Sequence, residues 1–213
     1  MSMSQHLLNA PDQALYDALN RFVWHPEKWL RQTGLSVNAP SLKQMDVQTI
    51  RRHVSEISKA CDLPLALWRS PEAPGALRLA LLSRDEWMRL GLVVSMLPMC
   101  GRAHGSIDGH FRRMVKQCLD QDGLEKLDHG FPSAQLTTRL GPGAWRNAAG
   151  VALGGVSAII HQICDWPEAV SNRFSLAFEP GELNKPPSVV GLNSEWMEFA
   201  CKISWPDHPW LCS

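Results

Sequence analysis

Apolar side chains along this chain recur at steps of three and four, the spacing that turns one face of a helix toward a core. Leu15, Ala18, Leu19 and Phe22 open the series. The preceding Asn9-Ala10-Pro11-Asp12 suits a helix start, because a proline in the first turn gives up a donor that has no intrahelical partner. A short helix is expected after Pro26, carrying Trp29 and Leu30 inward and stopping at Gly34, and residues 37–42 read as a loop. From Asp46, Val47, Ile50, Val54, Ile57 and Cys61 take one side while Arg51, Arg52, Glu56 and Lys59 take the other, the pattern of an amphipathic helix. Pro64, Pro71, Pro74 and Gly75 punctuate the connection that follows, with Trp68 as an anchor within it.

The sharpest local signal is Ser83-Arg84-Asp85-Glu86. The Ser83 hydroxyl can accept from the amide three residues on while Glu86 reaches back to the cap, and Leu82 with Trp87 forms a hydrophobic staple. Leu90, Val94 and Leu97 continue the stripe until Pro98 forbids further helix. Ile107, Phe111, Met114, Val115, Cys118 and Leu119 predict another helix, capped by Asp108, closing near Gly123 and turning Arg112, Arg113 and Lys116 outward. The segment 130–141 is expected to be a turn and a short helix.

After Gly141-Pro142, Trp145, Ala148, Ala149, Ala152, Val156, Ile159, Ile160 and Ile163 form one apolar face, and Gly150, Gly154 and Ala158 lie on another. A helix that is apolar or small all round must be covered on several sides, and glycine lets a neighbouring backbone approach closely at a cost of about 1 kcal/mol against alanine. This Gly/Ala-rich helix is therefore the expected centre of the fold. Asp165-Trp166-Pro167-Glu168 begins a helix bearing Val170, Phe174 and Phe178, residues 180–191 form a loop, and a last helix from Ser194 to about Ile203 presents Trp196, Phe199, Ala200 and Ile203 to the core. No alternating β-branched run reaches strand length, so the fold is expected to be mainly α. At 213 residues, against roughly 150 per domain, residues 1–213 are read as one compact multi-helix domain.

Composition narrows the function. Lysine and arginine number 21 and so do aspartate and glutamate, which argues against affinity built on many phosphates or an anionic membrane. Six cysteines without a CxxC pair suit a reducing compartment, and residues 1–10 lack a secretory layout, so the cytoplasm is expected. The uncharged stretch 147–164 is too short in its apolar part to span a bilayer. There is no phosphate-binding glycine loop and no HExxH, and Ser157 lacks the glycines of a nucleophile elbow. Cys100, His104, Asp108 and His110 form one metal-like cluster, but Gly101, Gly105 and Gly109 interrupt the helix that would align it. The expectation is a protein with no catalytic residues, cofactor or metal. A small Cys/His metal-dependent enzyme is the rival reading.

The charge is unevenly placed. Arg102, Arg112, Arg113 and Lys116 against Asp108 leave +3 over 102–116. Glu179, Glu182, Glu195, Glu198 and Asp207 against Lys185 and Lys202 leave −3 over 179–207. These are either solvated helix faces or two ends that steer different protein partners. Trp205 and Trp210, bracketed by prolines, either clamp the tail or anchor an interface.

In order along the chain, several segments resemble the SctK/YscK proteins of bacterial type III secretion systems. They are Arg21-Phe22 with Pro26 and Trp29-Leu30, Trp87-Met88-Arg89-Leu90-Gly91, the basic helix around Arg112-Arg113, and the Gly155 helix. Arg173-Phe174-Ser175-Leu176 ahead of Pro180 and Ala200-Cys201-Lys202-Ile203 complete the set. The resemblance implies a mainly helical, non-enzymatic adaptor of the cytoplasmic sorting platform. Such an adaptor links the forkhead-associated domain of the inner-membrane ring protein SctD to the pod protein SctQ, and through it to SctL and the ATPase SctN. It implies a site at the cytoplasmic face of the inner membrane; nucleic acid is not an expected partner, on the charge balance above. The basic face of Arg102, Arg112, Arg113 and Lys116 is the expected docking surface, with Trp205 and Trp210 as further interface candidates. A secretion chaperone or regulator that holds a partner helix in a groove is the alternative.

Overall fold

The computed structural model describes residues 17, 48, 75–99, 109–119, 123, 125, 127, 136–166, 170, 171, 174, 177–179 and 181–205. Asp17 and Gln48 are helical, and the remainder of the three helices expected before residue 64, with Trp68, lies outside the described residues. Helices dominate what is described: α1 (Gly75–Leu79), α2 (Arg84–Met96), α3 (Gly109–Cys118), α4 (Ala148–Gln162) and α5 (Ser194–Ser204). Two-residue strands β1 (Thr137–Thr138) and β2 (Val189–Val190) pair antiparallel, Thr137 opposite Val190 and Thr138 opposite Val189. Among the described residues no helix is long and apolar enough to cross a membrane.

Local chemistry sets the helix ends. The Ser83 hydroxyl accepts from the Glu86 amide at 3.4 Å and the Ser83 amide donates to Glu86 Oε2 at 2.6 Å, a complete capping box. Leu82 and Trp87 are both buried, as a staple requires. Helix α2 ends at Met96, one residue before the Leu97 that the sequence reading includes, and Leu97–Met99 continue as a 3₁₀ turn, so Pro98 changes the helix type rather than ending the helical run. Asn147 caps α4 by accepting from the Gly150 amide at 3.0 Å, and Asn193 caps α5 by accepting from the Trp196 amide at 3.0 Å.

Helix α4 is buried continuously from Val151 to Ile159. Its cover on one side is α2, and the crossing occurs at glycine on both helices. A Cβ on Gly155 would stand 1.9 Å from the Gly91 carbonyl oxygen, and one on Gly91 would stand 2.2 Å from the Ala152 carbonyl oxygen. This corrects the sequence reading in part: it assigned the close approach to Gly150 and Gly154, and a neighbouring backbone does lie against Gly154, but α2 lies against Gly155. Gly150 faces the capping Asn147 side chain, and Gly154 faces Ser188 and the Pro186 carbonyl. The apolar stripe is corrected likewise, since Ala149 is exposed while Val151 and Leu153 are buried.

The cover on the Gly154 side is the segment leading into β2. Ser188 donates its amide to the Gly154 carbonyl at 3.0 Å, and its carbonyl accepts from the Arg139 amide at 2.8 Å. Ser95 donates its hydroxyl to the Val151 carbonyl at 3.1 Å, so the Ser188 hydroxyl, 2.7 Å away, donates to Ser95. Segments expected as a short helix (130–141) and a loop (180–191) thus supply a strand each in their described parts. Gln162 completes the cover. Its amide nitrogen donates to the Val189 carbonyl at 2.8 Å, and its Oε1 accepts from the Gly191 and Leu192 amides at 2.9 and 3.1 Å. Gln162→Ala leaves those three backbone groups without their partner and is expected to cost about 2 kcal/mol, read in chemical denaturation as a lower midpoint at unchanged slope.

An aromatic cluster fills the space beyond the N-terminal half of α2. Trp87 meets Phe174 at 4.9 Å and Trp166 at 5.9 Å, both edge-on, and Phe174 meets Phe178 at 5.0 Å. Val170, Phe174 and Phe178 are all buried, as their spacing predicts. Arg84 closes the cluster, its guanidinium 5.7 Å from the Phe178 ring centroid and ion-paired with Glu182 at 2.9 Å.

Candidate functional site

Helix α3 carries the basic residues. Phe111, Val115 and Cys118 form its buried side, with Phe111 edge-on to Trp145 at 4.8 Å. Arg112, Arg113, Lys116 and Gln117 are exposed, and none of the helix's 10 residues is acidic. The three cations are not equivalent. Arg113 folds back on its own helix, with Nε donating to the Gly109 carbonyl at 3.3 Å and Nη2 lying 3.0 Å from His110 Nδ1. A guanidinium only donates, so that ring nitrogen accepts. Arg112 and Lys116 stand one helical turn apart, and among the described residues neither has an ion-pair partner.

Arg89 holds this helix in place. Its Nη2 donates to the Cys118 carbonyl at 3.0 Å, so a cation meets the negative end of the helix, and its guanidinium lies 5.8 Å from the Trp205 ring centroid. The link spans 29 residues, and no periodicity announces it. Burial pushes the Cys118 thiol above its ordinary range, with the Arg89 charge pulling the other way. Burial alone pushes Cys164 up to about 12, so that thiol stays protonated and unreactive at neutral pH.

Of the remaining sequence-selected residues, Arg102 and Trp210 lie outside the described residues. Trp205 is half-buried against the core; its amide donates to the Cys201 carbonyl at 2.8 Å as the C-cap of α5. The acidic end is smaller than its formal count, because Glu182 is committed to Arg84. Glu198 pairs with Lys202 one turn on at 2.5 Å, a pair that the count already includes.

No family model, curated protein or solved structure matches the chain. The site is therefore described by its own chemistry: two outward cations on a helix whose buried side and C-terminus are both tied down. Of the metal-like cluster, Cys100, His104 and Asp108 lie outside the described residues, and His110 is half-buried beside Arg113. Among the described residues no group of three or more His, Cys, Asp and Glu side chains is gathered.

Proposed function

We propose that this protein is a non-enzymatic adaptor of a type III secretion sorting platform, joining an SctD-like ring protein to an SctQ-like pod protein at the cytoplasmic face of the inner membrane. The observation that carries the reading is a convergence. Those segments resembling the SctK/YscK family that fall among the described residues lie far apart in sequence yet meet in space. Gly91 crosses Gly155, Trp87 from the same segment packs on Phe174, and Arg89 holds the C-terminus of the helix bearing Arg112 and Arg113. Ala200, Cys201 and Ile203 of the last resembling segment are buried. A resemblance distributed over mutually packed residues describes a scaffold, and a scaffold held by backbone-to-backbone contact resists deformation between two attachment points.

Co-expression tests this directly. The tagged chain is expected to co-purify with the SctQ-like protein and, separately, with the cytoplasmic domain of the SctD-like protein from the same genome. A folded chain that retains neither partner overturns the adaptor reading, and one that retains an exported substrate instead favours the chaperone.

A further inference from the structure

We propose that Arg112 and Lys116 form a two-cation docking pair for an acidic segment of a partner protein, with Arg113 outside the pair. This deepens the adaptor reading and rests on it for the partner's identity. Three observations converge on it. Arg112 and Lys116 are exposed one turn apart on a helix without acidic residues, so one partner surface can meet both cations at once. Arg113, which the sequence groups with them, spends its Nε and Nη2 on Gly109 and His110 of its own helix. The helix is also fixed at both its inner face, by Phe111, Val115 and Cys118, and its C-terminus, by Arg89, so docking orders two side chains rather than a segment.

The occupant is a carboxylate-bearing protein surface. Membrane association through basic residues takes clusters of about 4–8 cations, and nucleic-acid affinity grows with the number of phosphates neutralised. The three exposed cations of α3, on a chain of zero net charge, fall short of both. Two carboxylates at helical spacing on a partner, or alternate acidic residues of an extended segment, match a pair set one turn apart.

The test uses the full chain titrated with the SctQ-like protein and the SctD-like cytoplasmic domain at about 0.15 M salt. Arg112→Glu with Lys116→Glu is expected to weaken binding to one partner at least about tenfold, with an unchanged far-UV spectrum. Arg113→Ala is expected to stay within about twofold of the unaltered chain. Arg112→Gln with Lys116→Gln serves if the reversal disturbs folding, with the same direction expected. Unaltered affinity of the double variant for both partners overturns the proposal and leaves the adaptor reading standing. If the unaltered chain binds neither partner, the adaptor reading fails and a fluorescent ten-residue glutamate peptide decides: binding lost in the double variant supports the pair, and no binding overturns it. Sedimentation of the unaltered chain with phosphatidylglycerol vesicles, abolished in the double variant, overturns it in favour of a lipid surface.

Discussion

Gly155→Ala is expected to lower the thermal midpoint by roughly 6–12 °C, the largest loss from adding a single methyl group at any described glycine. The new Cβ would lie 1.9 Å from the Gly91 carbonyl oxygen, with the Gly91 carbonyl carbon and Cα at 2.5 and 2.8 Å. All three are backbone atoms, so no rotamer change relieves the clash, and α2 and α4 must move apart along a contact that buries residues on both helices. Overpacking of this kind costs about 3 kcal/mol, partly offset by alanine's better helix propensity. In a chain of this length each kcal/mol moves the midpoint by about 2–4 °C. Gly109→Ala is the control: its Cβ would meet nothing within 4 Å, and calorimetry should show a midpoint unchanged or slightly raised. A Gly155→Ala protein as stable as that control would mean that the two helices do not cross here.

Trp87→Ala is expected to cost about 4 kcal/mol, a large part of the roughly 5–15 kcal/mol of an ordinary domain, and to lower the urea midpoint accordingly. Trp87 is fully buried as the fourth residue of α2, pairs edge-on with Trp166 and Phe174, and shares the core with the buried Leu82 that precedes the helix start. Truncation removes the staple and opens a cavity in the aromatic cluster at once. Trp87→Phe separates shape from polarity. The indole N–H is buried without a hydrogen-bond partner among the described residues, so phenylalanine removes an uncompensated donor while keeping a ring against Phe174. Its expected cost is less than half that of alanine, measured by urea denaturation. A phenylalanine variant as damaged as the alanine one would show that the indole nitrogen is satisfied.

Those two sites differ in how far the sequence reveals them. Ser83 to Trp87 is legible as a capping box with its staple because every partner lies within a few residues, and the local geometry of a helix start leaves few ways to satisfy its amides. The outward set of Arg112 and Lys116 is legible for the same reason, through the helical period. Gly155 is different. The sequence shows a run of small residues in α4, and it attributes the close approach to Gly150 and Gly154, whereas Gly155 faces α2. Helix rotation about its own axis decides which glycine meets a neighbour, and that rotation is set by the neighbours.

The charge balance carries the same lesson at the candidate site. Both ends can be counted along the chain, but Glu182 is drawn to Arg84 across 98 residues, which trims the acidic end. Arg89 reaches Cys118 across 29 residues, and β1 finds β2 about fifty residues on. None of these pairings has a periodicity, because each is chosen by which surfaces collapse together.

By itself, the amino-acid order determined the helical character of the described regions, the start of α2, the inner and outer sides of α3 and the approximate bounds of α4 and α5. Each is settled within one or two turns by capping, proline and the side-chain period. Tertiary structure alone decided that Gly91 and Gly155 are the crossing point and that Gln162 and Ser188 carry the cover of α4. Packing chose these, because once the chain collapses the backbone groups and charges bond whichever partner the neighbouring element brings within reach.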